Sequence, residues 1–182
     1  MKAIIETDRL ILRPIEASDL RGIYELDSDP EVHRYLGLNP IKSLQESKAV
    51  IQYIQKQYEE DGIGRWAVID KKTQEFIGWS GLKYERGVRK DKPYYDLGYR
   101  LKKKFWGKGI ATETAVESLK YGFQTWRLTE IYAGAHIENM ASNKVLKKVG
   151  LHFIETFEYD GTLHNWYKIE KLEWQEKNSQ QV

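Results

Sequence analysis

The order in which the apolar pattern changes its period constrains this chain more than any other feature. "RLILR" at 9–13 reads as a strand, and "ASDLRGIYEL" at 17–26 opens a helix with Ser18 as N-cap ahead of Leu20, Ile23 and Tyr24. A second helix starts at a capping box of Ser43 and Glu46. It carries Leu44, Ile51, Ile54 and Tyr58 at helical spacing and stops at Gly62. "RWAVID" and "EFIGWSGLKYE" read as strands joined by the turn "KKTQ", with "YYDLGYRL" completing an antiparallel meander. Ala111, Ala115, Leu119 and Phe123 then fall four apart on one helical stripe, "EIYAGAHI" is a strand, and "MASNKVLKKVG" is a short helix closed by Gly150. Two last strands, "HFIETFEYD" and "LHNWYKIEKLEW", flank a hairpin turn at Asp160 and Gly161. The order β-α-α-β-β-β-α-β-α-β-β predicts an α+β fold, a mixed central sheet with flanking helices.

With 41% of 182 residues apolar and 31% charged, there is material for one core. We expect a single domain over 1–174 and a frayed polar tail over 175–182. No window offers the ~20 uninterrupted apolar residues of a membrane span, and residues 1–7 lack a secretory layout, which points to a cytoplasmic chain with no membrane partner. The absence of cysteine excludes disulfides, thiolate metal sites and cysteine nucleophiles, and fits a reducing compartment. His33, His136, His152 and His164 show no metal-ligand spacing, so no metal is expected. A net charge of +2 is too small to argue for direct nucleic-acid binding.

Charge is instead concentrated locally. Arg100, Lys102, Lys103, Lys104 and Lys108 form a run without an acid, and within it Gly107 and Gly109 precede a helical segment, "KKKFWGKGIATE". Two glycines let the backbone turn tightly, so that the amides of residues 107–112 converge on one anion at a helix N-terminus. Thr112 adds a hydroxyl there. Glu113 would repel an anion, so it is expected to face solvent or to cap. The spacing alone fits equally a plain glycine turn under exposed lysines. It is not a Walker loop, and a dinucleotide fingerprint would need a glycine where Thr112 stands.

The succession "DLGYRLKKKFWGKGIATETAVESLKYGF" and then "IYAGAHIENMASNKVLKKVGL" resembles the GNAT superfamily of acetyl-CoA-dependent N-acetyltransferases. "TDRLILRPIEASDL" and "DPEV" extend the likeness to about residues 5–170 and resemble most the branch containing the ribosomal-protein alanine N-acetyltransferases. The resemblance implies a sheet splayed between the fourth and fifth predicted strands, with acetyl-CoA, a co-substrate, seated in the opening. It implies that amides at Gly107, Lys108, Gly109, Ile110 and Ala111, with Thr112, hold the pyrophosphate, and that Tyr99, Arg100 and Leu101 lie beside the pantetheine arm. Lys104 stands where the family has Arg or Gln. In similar enzymes the counterpart of Asn139 meets the cofactor, and in the alanine-acetylating branch the counterpart of Ser142 protonates the departing thiolate. Other members use a tyrosine one turn later, where this chain has Leu146.

The same residues have simpler descriptions. Asn139 is a good N-cap with Ser142 at the third helical position. Lys144, Lys147 and Lys148 either face the cofactor's 3′-phosphate or form a solvated face. Ser142 shares a stripe with Leu146 and Val149, so it points inward and is the leading general acid. An amide on the "GYRL" strand, at Tyr99, would steady charge on the thioester oxygen. Asp96 is a candidate base, directly or through water, or else a strand-end acid; His136 is the second candidate. Tyr35, Trp66, Trp79 and Tyr95, with Tyr24 and Tyr94 near them, are candidates for the acceptor pocket and also ordinary core material. The expected reaction is direct attack by an amine, most simply a protein or peptide N-terminal α-amine. Neutralising such a group (pKa near 8) at pH 7 costs about 1.4 kcal/mol, against about 4.6 for a lysine side chain. Alternatives are a small amine such as an aminoglycoside or polyamine, or a non-catalytic acyl-CoA sensor. Domains of this kind often pair as homodimers, but no stripe marks an interface.

Overall fold

In the computed structural model, which describes residues 4–89 and 92–179, eight strands form one sheet in the order β1-β2-β3-β4-β5-β6-β8-β7. The strands are β1 (Ile5–Glu6), β2 (Leu10–Pro14), β3 (Trp66–Asp70), β4 (Phe76–Glu85), β5 (Tyr94–Leu101), β6 (Glu130–His136), β7 (His152–Tyr159) and β8 (Thr162–Glu170). The helices are α1 (Leu20–Asp27), α2 (Leu44–Asp61), α3 (Ile110–Lys120, extended by a π turn at Tyr121–Thr125), α4 (Met140–Lys148) and α5 (Lys171–Ser179).

Neighbours are antiparallel except β5 and β6, which run parallel and share one register position, Asp96 opposite Tyr132. Beyond it the two strands part. That is the splay expected between the fourth and fifth predicted strands, which are β5 and β6 once the two-residue β1 is counted.

Alternation along the strands sorts side chains to two faces. Leu82, Leu97, Ile131, Ala133, Tyr167 and Ile169 join Leu119 and Phe123 from α3 and its π turn, and Leu146 from α4, in one cluster. Ala67, Ile69 and Phe76 meet Ile23 and Leu26 of α1 and Ile51 and Ile54 of α2 on the other. Helices α3 and α4 therefore cover one side of the splay, and α1 and α2 the other.

Local signals held at most boundaries. Ser43 Oγ accepts from the Glu46 amide at 3.3 Å, and Gly62 closes α2 in the left-handed region. Asp160 and Gly161, at φ 50° and 72°, make the tight β7–β8 turn. Three expectations need correcting. Ser18 caps nothing: it lies within a 3-10 turn, Ala17–Asp19, where Asp19 accepts from the Glu16 amide and is gripped by the Arg13 fork at 2.8 Å. The final strand stops at Glu170, because the Glu173 carboxylate takes the Glu170 amide and a helix begins. Residues 175–179 continue that helix instead of fraying. Trp174 packs on Phe123, and Lys177 Nζ donates to the Gly150 carbonyl at 2.9 Å.

Candidate active site

Between β5 and α3 the chain makes the glycine turn. Gly107 and Gly109 both adopt positive φ, 73° and 77°, where any side chain would be strained. Gly109 is the N-cap of α3 and, among the described residues, no side chain caps that end, so the first-turn amides point outward without a side-chain partner there. A Cβ on Gly107 would meet nothing within 4 Å, and one on Gly109 only Arg9 at 3.5 Å. The turn is thus open and lined with backbone donors, which fits a diphosphate.

The basic run around the turn is divided. Lys102 is buried and bonds Glu25 at 2.6 Å; Lys103 meets Glu31 at 3.3 Å; Lys104 is exposed beside Glu75. Lys108 lies over the Phe105 ring at 5.3 Å. The indole of Trp106 donates to the Leu101 carbonyl at 2.7 Å, so that carbonyl is already engaged. Thr112 is half-buried on the first turn. Glu113 neither floats in solvent nor caps: it pairs with Arg9 at 2.7 Å.

At the gap itself, the N-terminus of α4 comes up against β5. Asn139 Oδ1 accepts from the Ser142 amide at 3.1 Å, so it is the N-cap, with its amide nitrogen left for other use. Ser142 is half-buried, and its Oγ lies 3.1 Å from the Tyr99 hydroxyl, which also reaches the Ser142 carbonyl at 3.2 Å. Burial holds the Tyr99 phenol well above its ordinary pKa, so it stays protonated at any working pH. Sequence reasoning had given Tyr99 a backbone role. Its side chain places a phenol beside Ser142 from a different element than the position occupied by Leu146, which is 1% exposed in the core. Asn143 was missed as well. Its amide donates to the carbonyls of His136 (2.9 Å) and Asn139 (2.8 Å), and its carbonyl accepts from Asn165 (2.8 Å) and Tyr167 (2.7 Å). It pins α4 to β6 and β8. Lys144, Lys147 and Lys148 are exposed on α4.

On the α1/α2 face, Asp96 sits at the last shared position of β5 and β6, its carboxylate paired with buried Arg65. The Arg65 guanidinium, just ahead of β3, also donates to the Asp96 carbonyl at 2.6 Å and to the Gly81 carbonyl, tying the entry to β3 onto β4 and β5. It lies against Gly98, where a Cβ would stand 2.6 Å from its Nη2, so a side chain there would displace the guanidinium. Burial lifts the Asp96 carboxyl above its usual range, with Arg65 and Lys83 pulling the other way. Arg100 faces the same side, bonded to Asp27 at 2.6 Å and stacked over Trp79 at 5.0 Å.

The four aromatics expected around the acceptor divide between faces. Trp79 and Tyr35 are on the α1/α2 side, Tyr35 5.4 Å from the His136 ring. His136 Nδ1 accepts from the Glu138 amide at 3.2 Å, leaving the neutral ring's proton on Nε2. Trp66 is 4% exposed, edge-on to Tyr121 under α3, and Tyr95 packs on the α3 side against Tyr84 at 5.0 Å. The β4–β5 register pairs Tyr95 with Tyr84 and places both opposite in parity to Asp96.

Comparison with known proteins agrees with this arrangement. The family model described as "Acetyltransferase (GNAT) domain" matches residues 9–152. The chain is 32% identical over 166 residues to the uncharacterized N-acetyltransferase YoaA of Bacillus subtilis (strain 168), covering 91% of this chain and 89% of that one. Among solved structures, the ribosomal-protein-S5-alanine acetyltransferase from Vibrio fischeri superposes with a TM-score of 0.74 at 20% identity, over 94% of this chain and 98% of its own. The spermidine N-acetyltransferase from Vibrio cholerae, in complex with CoA and spermine, gives 0.74 at 21%, over 93% and 99%. With the splayed sheet and the uncapped glycine turn in place, a match over most of its length establishes that this chain belongs to the GNAT family of N-acetyltransferases.

Proposed function

We propose that the protein moves an acetyl group from acetyl-CoA to the α-amine of a protein or peptide N-terminus by direct attack, with no covalent enzyme intermediate. When bound, acetyl-CoA supplies the acetyl carbon as an activated thioester. The amides of Gly107 to Thr112 are the donors suited to its diphosphate, with Lys104, Lys108 and Lys144 as nearby cations, and the Asn139 amide and the β5 edge from Tyr99 to Leu101 flank its arm. Ser142 Oγ holds the proton for the leaving sulfur, and the Tyr99 hydroxyl, kept protonated by burial, stands behind it to replace that proton. Asp96, its carboxyl lifted by burial, accepts the proton that the acceptor ammonium must lose.

The choice of acceptor is carried by the pairing of carboxylates on the α1/α2 side. Asp27 is held by Arg100 (2.6 Å), Glu155 by Arg89 (2.8 Å), Glu85 by Lys83 and Asp96 by Arg65. A polyamine carries several cations and needs carboxylates that are not already neutralised; a terminal α-amine brings one cation and a peptide backbone. Its lower neutralisation cost also suits a carboxylate base that is itself ion-paired. The test is thiol release from acetyl-CoA against a panel of short peptides with free N-termini, spermidine and an aminoglycoside, with mass spectrometry locating the acetyl group. We expect kcat/KM for the best peptide to exceed that for spermidine by at least about tenfold, with the label on the α-nitrogen. Faster turnover of spermidine or the aminoglycoside than of every peptide would overturn the choice.

A further inference from the structure

We infer that Arg9, from the β1–β2 connection, is a positioning residue that sets the orientation of the phosphate-binding turn and cancels the charge of Glu113 beside it. This rests on the assignment of that turn to the diphosphate of acetyl-CoA. The Arg9 backbone is fixed: its carbonyl accepts from the Lys71 amide at 2.9 Å, and Thr7 Oγ1 accepts from the next amide, Leu10, at 2.9 Å. From there the guanidinium spans to the turn. Nη2 donates to the Lys108 carbonyl at 2.9 Å, and Nε donates to Glu113 Oε2 at 2.7 Å.

The Lys108 carbonyl belongs to the peptide that joins Lys108 to Gly109, the second of the two positive-φ glycines. A trans peptide is planar, with C=O and N–H pointing in opposite directions. Holding the Lys108 oxygen toward Arg9 therefore turns the Gly109 N–H away from Arg9. Without that hold, glycine's freedom would let the plane rotate and present a carbonyl oxygen to the anion. Glu113 keeps the guanidinium in place. On its own this carboxylate, on the first turns of α3, would compete with a phosphate for the positive end of the helix, and Arg9 neutralises it.

Arg9 does not itself offer an anion pocket on its other side. The open pocket of about 420 Å³ there is lined by Thr7, Asp8, Arg9, Glu113 and Glu117, three of them acids. Its effect on the phosphates runs through the backbone plane.

The test uses the full-length chain with Arg9→Gln and the double variant Arg9→Gln/Glu113→Gln. CoA affinity is read by calorimetry, and kcat/KM is read with acetyl-CoA and with S-acetyl-N-acetylcysteamine, a donor lacking phosphates. In Arg9→Gln, CoA Kd rises roughly tenfold, and the preference for acetyl-CoA over the phosphate-free donor falls by the same factor, the scale of one charge-assisted contact. The double variant recovers part of that loss, because no unpaired carboxylate remains; recovery also shows that the variants fold. An unchanged Kd in Arg9→Gln, or an equal loss with both donors, sinks the inference while leaving the cofactor assignment intact. A wild-type chain that does not bind CoA overturns the assignment and this inference with it.

Discussion

Ser142 and Tyr99 show how much a single neighbour changes a residue's chemistry. A serine hydroxyl is a poor acid alone, and a phenol with a raised pKa is a proton source only where something accepts from it; at 3.1 Å the two share one proton network. If that pair protonates the leaving sulfur, Tyr99→Phe and Ser142→Ala each lower kcat by roughly 10², the range of one general acid, while KM for acetyl-CoA moves little. Steady-state kinetics across pH 6 to 9 decide it. Wild-type kcat in Tyr99→Phe would remove the phenol from the proton path, and a shared loss in KM instead would make the pair a binding feature.

Among the elements, α4 depends most on a polar anchor. Its apolar content is modest, Leu146 being its buried core residue, and of the four hydrogen bonds that the Asn143 side chain makes, three fix the helix against β6 and β8 and the fourth closes on its own N-cap. Asn143→Ala strips partners from the Tyr167 hydroxyl, the Asn165 amide and two carbonyls at once. Leaving buried polar groups unpaired costs about 1 to 3 kcal/mol each before water enters, so a loss of about 2 to 4 kcal/mol is expected. Urea unfolding measures it. A change below about 0.5 kcal/mol would mean that water or the Ser142–Tyr99 contact holds the helix without Asn143. Strand β5 is positioned differently, by Arg65 from below and by β4 at its side. It leaves β6 because the Asp96–Tyr132 position is their last common one.

At the scale of the whole molecule, α1 and the connection after it are tied to the sheet through buried charge as well as apolar packing. His33, 6% exposed in the α1–α2 connection, lies 3.8 Å from Asp27, which also holds Arg100 of β5. Burial and the Arg100 charge depress its pKa below the ordinary histidine value. The unfolded chain therefore takes up a proton near pH 6.5 that the folded chain refuses until lower pH. Stability is full above the unfolded value and declines as pH falls below it, in contrast to a histidine that gains a charged partner on folding. Melting temperatures from pH 7.5 to 5 should fall more steeply for wild type than for His33→Gln. Parallel slopes would place the acid sensitivity elsewhere.

The fold was legible in the sequence because its signals are local. Period, caps and turn residues act within a few positions, and the glycine turn before α3 and the splay that the family resemblance implied are where they were expected. The failures were also local signals, outcompeted by distant ones. Ser18 lost its cap to Asp19, which Arg13 holds, and the polar stretch after Trp174 stayed helical because Trp174 found Phe123. What the sequence could not contain was the pairing of remote charges and the parity of strands. Arg9 and Glu113 are 104 residues apart, Arg100 and Asp27 are 73 apart, and Tyr99 and Ser142 are 43 apart. Trp66 and Trp79 read as equivalent aromatics until cross-strand register sent one under α3 and the other toward α1. Chain periodicity fixes which residues alternate. Only the packed sheet decides which face each alternation meets, because that choice is made by contacts between segments that no local energy term couples.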